Sequence, residues 1–87
     1  MASIQQKTSW EELRNEAKAA SRKGDFATAE TKYQAALEAA ENQFGKDRSH
    51  TAVILCELGE CFEAQGKETE AEHCFSRVRE MLRQTSK

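Results

Sequence analysis

Thiol and imidazole side chains in the second half of the chain have the most specific chemistry in this sequence. Cys56, Cys61, His73 and Cys74 are residue types that bind zinc. Their spacing argues against a shared metal, because a helix with 3.6 residues per turn points Cys56 and Cys61 about 140° apart. Adjacent His73 and Cys74 also diverge. We therefore expect no metal site, and we expect the cysteines to be small packing residues.

Two arrangements that could support catalysis are also weak. A cysteine nucleophile beside His73 has no third residue to orient the base. Carboxylates such as Glu57 and Glu60 could form acid/base pairs, but nothing in the sequence implies a pocket that excludes water from them. Gly24 and Gly66 are isolated and do not form a phosphate-binding loop. The sequence therefore predicts a protein that is not an enzyme and holds no cofactor.

Composition excludes further classes of function. The chain has 87 residues, with 13 Lys plus Arg against 15 Asp plus Glu and a net charge of −2, which argues against a nucleic-acid partner. It has no apolar stretch near the roughly 20 residues that a membrane span needs. Three cysteines without CxxC spacing favour a reducing compartment, and we expect the cytoplasm. The absence of proline favours an all-α domain.

Hydrophobic spacing predicts four helices. Ser9 and Glu12 fit a capping box at the start of the first helix. Gly24 can end that helix, and Asp25 can cap the second one. Gly45 and Gly66 mark the ends of the second and third helices. The four apolar stripes, at spacings of three and four residues, are Trp10, Leu13, Ala17, Ala20; Phe26, Ala29, Tyr33, Ala36, Leu37, Ala40, Phe44; Ala52, Leu55, Leu58, Gly59, Phe62; and Ala71, Phe75, Val78, Leu82.

The two halves of the chain repeat each other without a gap. Gly24 corresponds to Gly66 at an offset of 42 residues, and the same offset relates Tyr33 to Phe75. In each half a small alanine precedes the aromatic residue by four positions, so the helices of a hairpin can approach closely there. One hairpin cannot bury its own apolar face, so we expect the second hairpin to stack on the first.

These residues resemble the tetratricopeptide repeat. The second repeat matches the family's pattern of Leu-Gly, aromatic, Gly, Ala and aromatic at Leu58, Gly59, Phe62, Gly66, Ala71 and Phe75. The first repeat departs from it, with Glu16-Ala17 in place of Leu-Gly and Ala20 in place of an aromatic. We therefore expect the first helix to pack thinly.

The length of the repeat resembles the kinesin light chain type of this family. Its 42 residues exceed the common 34. That type has a Gly-x-Asp-His-Pro turn between repeats. Here the turn is Gly45-Lys46-Asp47-Arg48-Ser49, so Arg48 and Ser49 replace histidine and proline.

The resemblance implies an α-solenoid of two helical hairpins in a right-handed stack. The predicted boundaries are an N-terminal tail at 1–8, repeat 1 at 9–45, repeat 2 at 50–84 and a C-terminal tail at 85–87. The resemblance also implies a concave groove, lined by the first helix of each repeat, that binds peptides or other proteins without catalysis.

Eight residues are expected to line this groove. They are Arg14, Asn15, Lys18 and Arg22 in the first repeat, and Val53, Cys56, Glu57 and Glu60 in the second. An acidic peptide end could pair with Arg14 and Lys18, and Asn15 could bond to peptide backbone. The alternative is an ordinary solvated helix face on which Arg14 merely neighbours Glu11 or Lys18.

Two repeats fall below the roughly three that a solenoid usually needs. A second hypothesis is therefore that the chain acts by self-association through an exposed end, or is a structural fragment of a longer array. The candidate ends are the Trp10 side of the first hairpin and the side of the last hairpin formed by Phe75, Val78, Met81 and Leu82.

Overall fold

Four α-helices make up the protein. The computed structural model describes residues 9–46 and 49–85. The helices are α1 (Trp10–Arg22), α2 (Phe26–Phe44), α3 (Ser49–Ala64) and α4 (Glu68–Thr85). Helices α1 and α2 pack as one hairpin, α3 and α4 as a second, and α2 packs on α3. The predicted all-α pair of stacked hairpins is confirmed. The predicted tail at 1–8, the turn residues 47–48 and residues 86–87 lie outside the described residues.

The same turn closes both hairpins, and its glycine is required. Gly24 and Gly66 have φ of 82° and 80°, a left-handed conformation that other residues rarely adopt. In each turn the following residue donates its N–H to a carbonyl five positions earlier, from Asp25 to Ala20 and from Lys67 to Phe62, both at 2.9 Å. This bond satisfies a carbonyl at the end of the first helix.

Side-chain caps start the first two helices at the predicted residues. The hydroxyl of Ser9 accepts the N–H of Glu12 at 3.2 Å, and the carboxylate of Asp25 accepts the N–H of Thr28 at 3.3 Å. Both caps satisfy backbone donors that the first helical turn leaves without a partner. Asp25 therefore serves the end of α1 through its backbone and the start of α2 through its side chain.

The ring of Phe75 on α4 packs directly against the backbone of Gly59 on α3. A Cβ atom built on Gly59 would lie 2.7 Å from the ring of Phe75, which is closer than real carbon atoms approach. The equivalent pair in the first hairpin is Ala17 and Tyr33, both buried. The second hairpin has thus exchanged a methyl group for closer contact with the aromatic ring.

We expect Gly59→Ala to destabilise the protein by about 1 kcal/mol. The forced movement of the ring costs about 1 to 3 kcal/mol, and the better helix propensity of alanine returns about 1 kcal/mol. Urea unfolding followed by circular dichroism measures the change. In the Gly59→Ala/Phe75→Leu double variant the clash is gone, so there the alanine should stabilise relative to Phe75→Leu alone. An equal loss in both backgrounds would rule out the clash.

Helix α3 supplies the largest share of the core, because α2 and α4 flank it. Its buried residues include Ile54, Leu55 and Leu58, none of them more than 3% exposed. Helix α1 buries only Ala17 and Ala20. The first repeat departs from the family pattern at Ala17 and Ala20, and at these positions α1 packs on the core through small side chains.

An aromatic cluster ties α1 to the junction of the repeats. The ring of His50 stacks on Phe44 with centroids 3.9 Å apart, and Trp10 meets both rings edge-on. Beside it, the hydroxyl of Thr51 donates to the carbonyl of Lys46 at 2.8 Å. These contacts fix the start of α3 against the end of α2.

Polar contacts join the hairpins at the opposite end. The side-chain amide of Gln65 and the ammonium group of Lys67 both donate to the carboxylate of Glu30, the latter at 3.0 Å. The hydrogen bond from Gln65 and the charge of Lys67 lower the pKa of Glu30 below its usual 4.5, although partial burial opposes the shift. The Glu30 carboxylate therefore stabilises the fold in its ionised form.

The contribution of Glu30 should be present above its unfolded-state pKa and be lost as the pH falls through the lower folded-state pKa. We expect Glu30→Gln to reduce the loss of unfolding free energy between neutral pH and about pH 3.5, relative to wild type. Urea titrations at the two pH values measure this. Glu38→Gln, at an exposed position of the same helix, is the matched control. Equal pH dependence in wild type and Glu30→Gln would show that this cluster adds nothing.

Candidate partner-binding site

A bidentate ion pair joins the first helices of the two repeats. The Nε and Nη2 groups of Arg14 on α1 donate to the two carboxylate oxygens of Glu57 on α3, at 2.7 and 2.6 Å. The side chains are only 27% and 19% exposed. Paired, partly buried forks of this kind are stronger and more directional than exposed ion pairs. The pair therefore fixes the spacing of α1 and α3 on this face.

The pKa values of Arg14 and of the nearby Tyr33 are both raised. The hydrogen bond to Glu57 raises the pKa of Arg14 above its ordinary value, against a smaller opposing effect of burial. Burial, aided by the charge of Glu57, raises the pKa of Tyr33 to about 12. Tyr33 is thus a neutral, buried phenol near the pair, and the guanidinium keeps its charge throughout the physiological range.

The other predicted groove residues differ in exposure. Lys18 and Cys56 are half-buried, whereas Asn15, Arg22, Val53 and Glu60 are exposed. Val53 is an exposed large hydrophobic side chain at 43%. The charge of Arg14 is already balanced by Glu57, so Lys18 and Arg22 are the predicted groove cations without that internal compensation.

The pairing of Arg14 with Glu57 was not predicted from the sequence, which offered Glu11 or Lys18 as its neighbours. A signal for it does exist in the repeat. Glu57 corresponds to Asn15 at the 42-residue offset, and Asn15 directly follows Arg14. In the stacked hairpins Glu57 lies beside Arg14, the residue that precedes its counterpart Asn15.

The three cysteines are buried or half-buried. Burial raises the pKa of the thiols of Cys56, Cys61 and Cys74 above the usual 9.0, which disfavours the thiolate that attacks substrates or binds metals. Within residues 9–46 and 49–85, no three His, Cys, Asp or Glu side chains are grouped so that they could hold a metal ion. The thiols instead pack at helix contacts, as the buried positions of Cys61 and Cys74 show.

Comparison with protein families agrees with the paired hairpins. The tetratricopeptide repeat model matches residues 12–84, which is most of the chain. The chain belongs to the tetratricopeptide repeat family. This family consists generally of protein-interaction scaffolds. No curated protein and no solved structure is significantly similar to the chain. In the described part of this tetratricopeptide repeat protein, none of the helices is long and apolar enough to cross a membrane.

Removing one partner of the Arg14–Glu57 pair should lower the unfolding free energy more than removing one partner of an exposed ion pair does. The reason is that the remaining charge stays partly buried. A double-mutant cycle with Arg14→Met and Glu57→Gln should give a coupling of about 1 to 2 kcal/mol in unfolding free energy. The exposed pair Arg83–Glu80, with side chains 78% and 55% exposed, is the control and should give about 0 to 1 kcal/mol. Equal coupling in the two cycles would show that the fork stabilises the protein no more than an exposed ion pair does.

Proposed function

We propose that this protein is a non-enzymatic adaptor that binds an extended peptide, or an extended segment of another protein, on the face formed by α1 and α3. We call this surface the groove face. It consists of Arg14, Asn15, Lys18, Arg22, Val53, Cys56, Glu57 and Glu60. The observation that carries the proposal is the Arg14–Glu57 fork, which holds the two helices together at this face through contacts within the chain. A pre-formed surface loses less conformational entropy when a ligand binds.

The charges of the groove face define the ligand. Lys18 and Arg22 make its α1 side basic, while Glu60 makes its α3 side acidic. The exposed side chain of Val53 offers an apolar contact on α3. A ligand with acidic residues over α1 and an apolar residue over α3 complements this surface, and the amide of Asn15 can bond to its backbone.

The type of repeat and the location are part of the same proposal. The 42-residue offset and the 19-residue α2 support the kinesin light chain type, in which the second helix is long. Three free cysteines favour the reducing cytoplasm.

Binding can be tested with a pooled library of short acidic peptides and a control library in which Asn and Gln replace Asp and Glu. We expect the acidic library to shift the amide resonances of Asn15, Lys18 and Arg22 in heteronuclear NMR spectra, and the control library to shift them little. Lys18→Glu should weaken binding by about tenfold, because it places like charges together.

The matched control is Lys46→Glu, which makes the same charge change at an exposed position outside the groove face and should leave binding unchanged. Shifts confined to α2 and α4 would place the binding surface elsewhere. Equal weakening by both lysine variants would indicate attraction by net charge alone.

A further inference from the structure

The packing of α2 on α3 is a template for what could pack on the ends of the molecule. Helix α4 is the repeat of α2, so each residue of α2 that faces α3 has a counterpart 42 residues later. Glu30, which accepts a hydrogen bond from Gln65 of the α3–α4 turn, corresponds to Glu72. Leu37, which lines a cavity with Leu55 and Leu58 of α3, corresponds to Arg79.

The counterparts on α4 lie at the surface. The side chains of Glu72 and Arg79 are each 61% exposed. Leu82, the counterpart of fully buried Ala40, is 60% exposed, and Phe75 is half-buried. We call Glu72, Phe75, Arg79 and Leu82 the tail face. Met81 was expected on this end, but it is 4% exposed because its flexible side chain packs into the core.

Helix α1 is likewise the repeat of α3. Ile54, Leu58 and Cys61 share one face of α3 at helical spacing and are buried, and Gln65 follows them in the α3–α4 turn. Their counterparts are all exposed, and we call them the head face: Glu12, Glu16 and Ala19 on α1, and Lys23 directly after it.

Placing a head face on a tail face in the geometry of the α2–α3 contact brings opposite charges together. Leu37 and Leu58, which line the same cavity between the hairpins, are replaced by Arg79 and Glu16. The hydrogen bond between Glu30 and Gln65 becomes a contact of Glu72 with Lys23. Acid thus meets base in these two contacts, whereas the ion pair of Glu30 with Lys67 becomes a contact between two acids, Glu72 and Asp25.

We infer that a second copy of this chain docks its head face on the tail face, repeating the α2–α3 contact between molecules. The inference does not depend on peptide binding by the groove face. Since the two faces differ, the contact is head-to-tail and leaves a free head and a free tail, so the assembly is open-ended. Each added copy would also extend the groove face, because its α1 would follow α3 as α3 follows α1.

Ion pairs within each chain do not block this contact. Glu16 is 2.8 Å from Lys32 of its own hairpin, and Arg79 is 2.6 Å from Glu72. These exposed pairs contribute little and exchange readily with solvent. In the docked position Glu16 would lie between Lys32 and the incoming Arg79, as Leu58 shares a cavity with Leu37 and Cys74. An interface based on such charges should be reversible and weakened by salt.

Sedimentation equilibrium of the full chain over a range of concentrations tests the inference. We expect dimers and trimers to form progressively at low salt and to dissociate at high salt. Arg79→Glu and Glu16→Arg should each weaken association by at least about tenfold. Glu11→Arg, which makes the same charge change on an exposed residue of α1 outside the head face, is the matched control and should associate like wild type.

Mixing the variants distinguishes a head-to-tail contact from other arrangements. An equimolar mixture of Glu16→Arg and Arg79→Glu should associate again, because each variant supplies the charge that the other's altered face requires. The double variant should also recover association by itself. Circular dichroism checks that every variant is folded, and Glu16→Gln and Arg79→Gln replace any that is not, with weakened association again expected.

Four results would overturn the inference. They are a wild-type chain that stays monomeric at every concentration, a single closed dimer, sensitivity to Arg79 but not to Glu16, and a mixture that fails to associate. The third result would instead indicate a symmetric contact between two tail faces.

Discussion

The contact between α2 and α3 is the constraint on which the rest of this protein depends. Neither hairpin can enclose an apolar core by itself, so each repeat buries its hydrophobic face only against the other. Ile54 and Leu58 leave solvent at this contact. Two ion pairs flank this contact. Glu30 pairs with Lys67 of the α3–α4 turn, and Glu41 of α2 pairs with Arg77 of α4 at 2.7 Å. Separating the hairpins would expose the core and break these ion pairs together.

The face that α1 and α3 share is a consequence of that contact. Because the hairpins are held in one position, Arg14 can reach across 43 residues of sequence to Glu57. The fork pairs the positive charge of Arg14 with Glu57 inside the chain and so holds α1 and α3 at a fixed spacing. The other charged residues of the proposed groove face are Lys18, Arg22 and Glu60, and Val53 adds an exposed apolar side chain. The charge distribution of this face therefore follows from how the repeats stack as much as from the residue types on α1.

Equivalent positions of the two repeats carry apolar side chains at the internal contact and charged side chains at the ends of the molecule. Leu58 is buried between the hairpins, whereas its counterpart Glu16 is solvated and lies beside Lys32. Leu37 and Arg79 differ in the same way. Apolar side chains make the internal contact permanent, because exposing them to water is costly at any salt concentration. Charged side chains at the ends keep those surfaces compatible with water while retaining a preference for complementary charge.

The sequence by itself determined the local structure: four helices, their caps at Ser9 and Asp25, the two glycine turns and the 42-residue repeat. These depend on residues within a few positions of one another, so spacing and residue type suffice to predict them. Only the tertiary structure decided that Arg14 pairs with Glu57 and that Met81 is buried. Both outcomes depend on the direction and separation of side chains on helices distant in sequence, and helical periodicity carries no information about those distances.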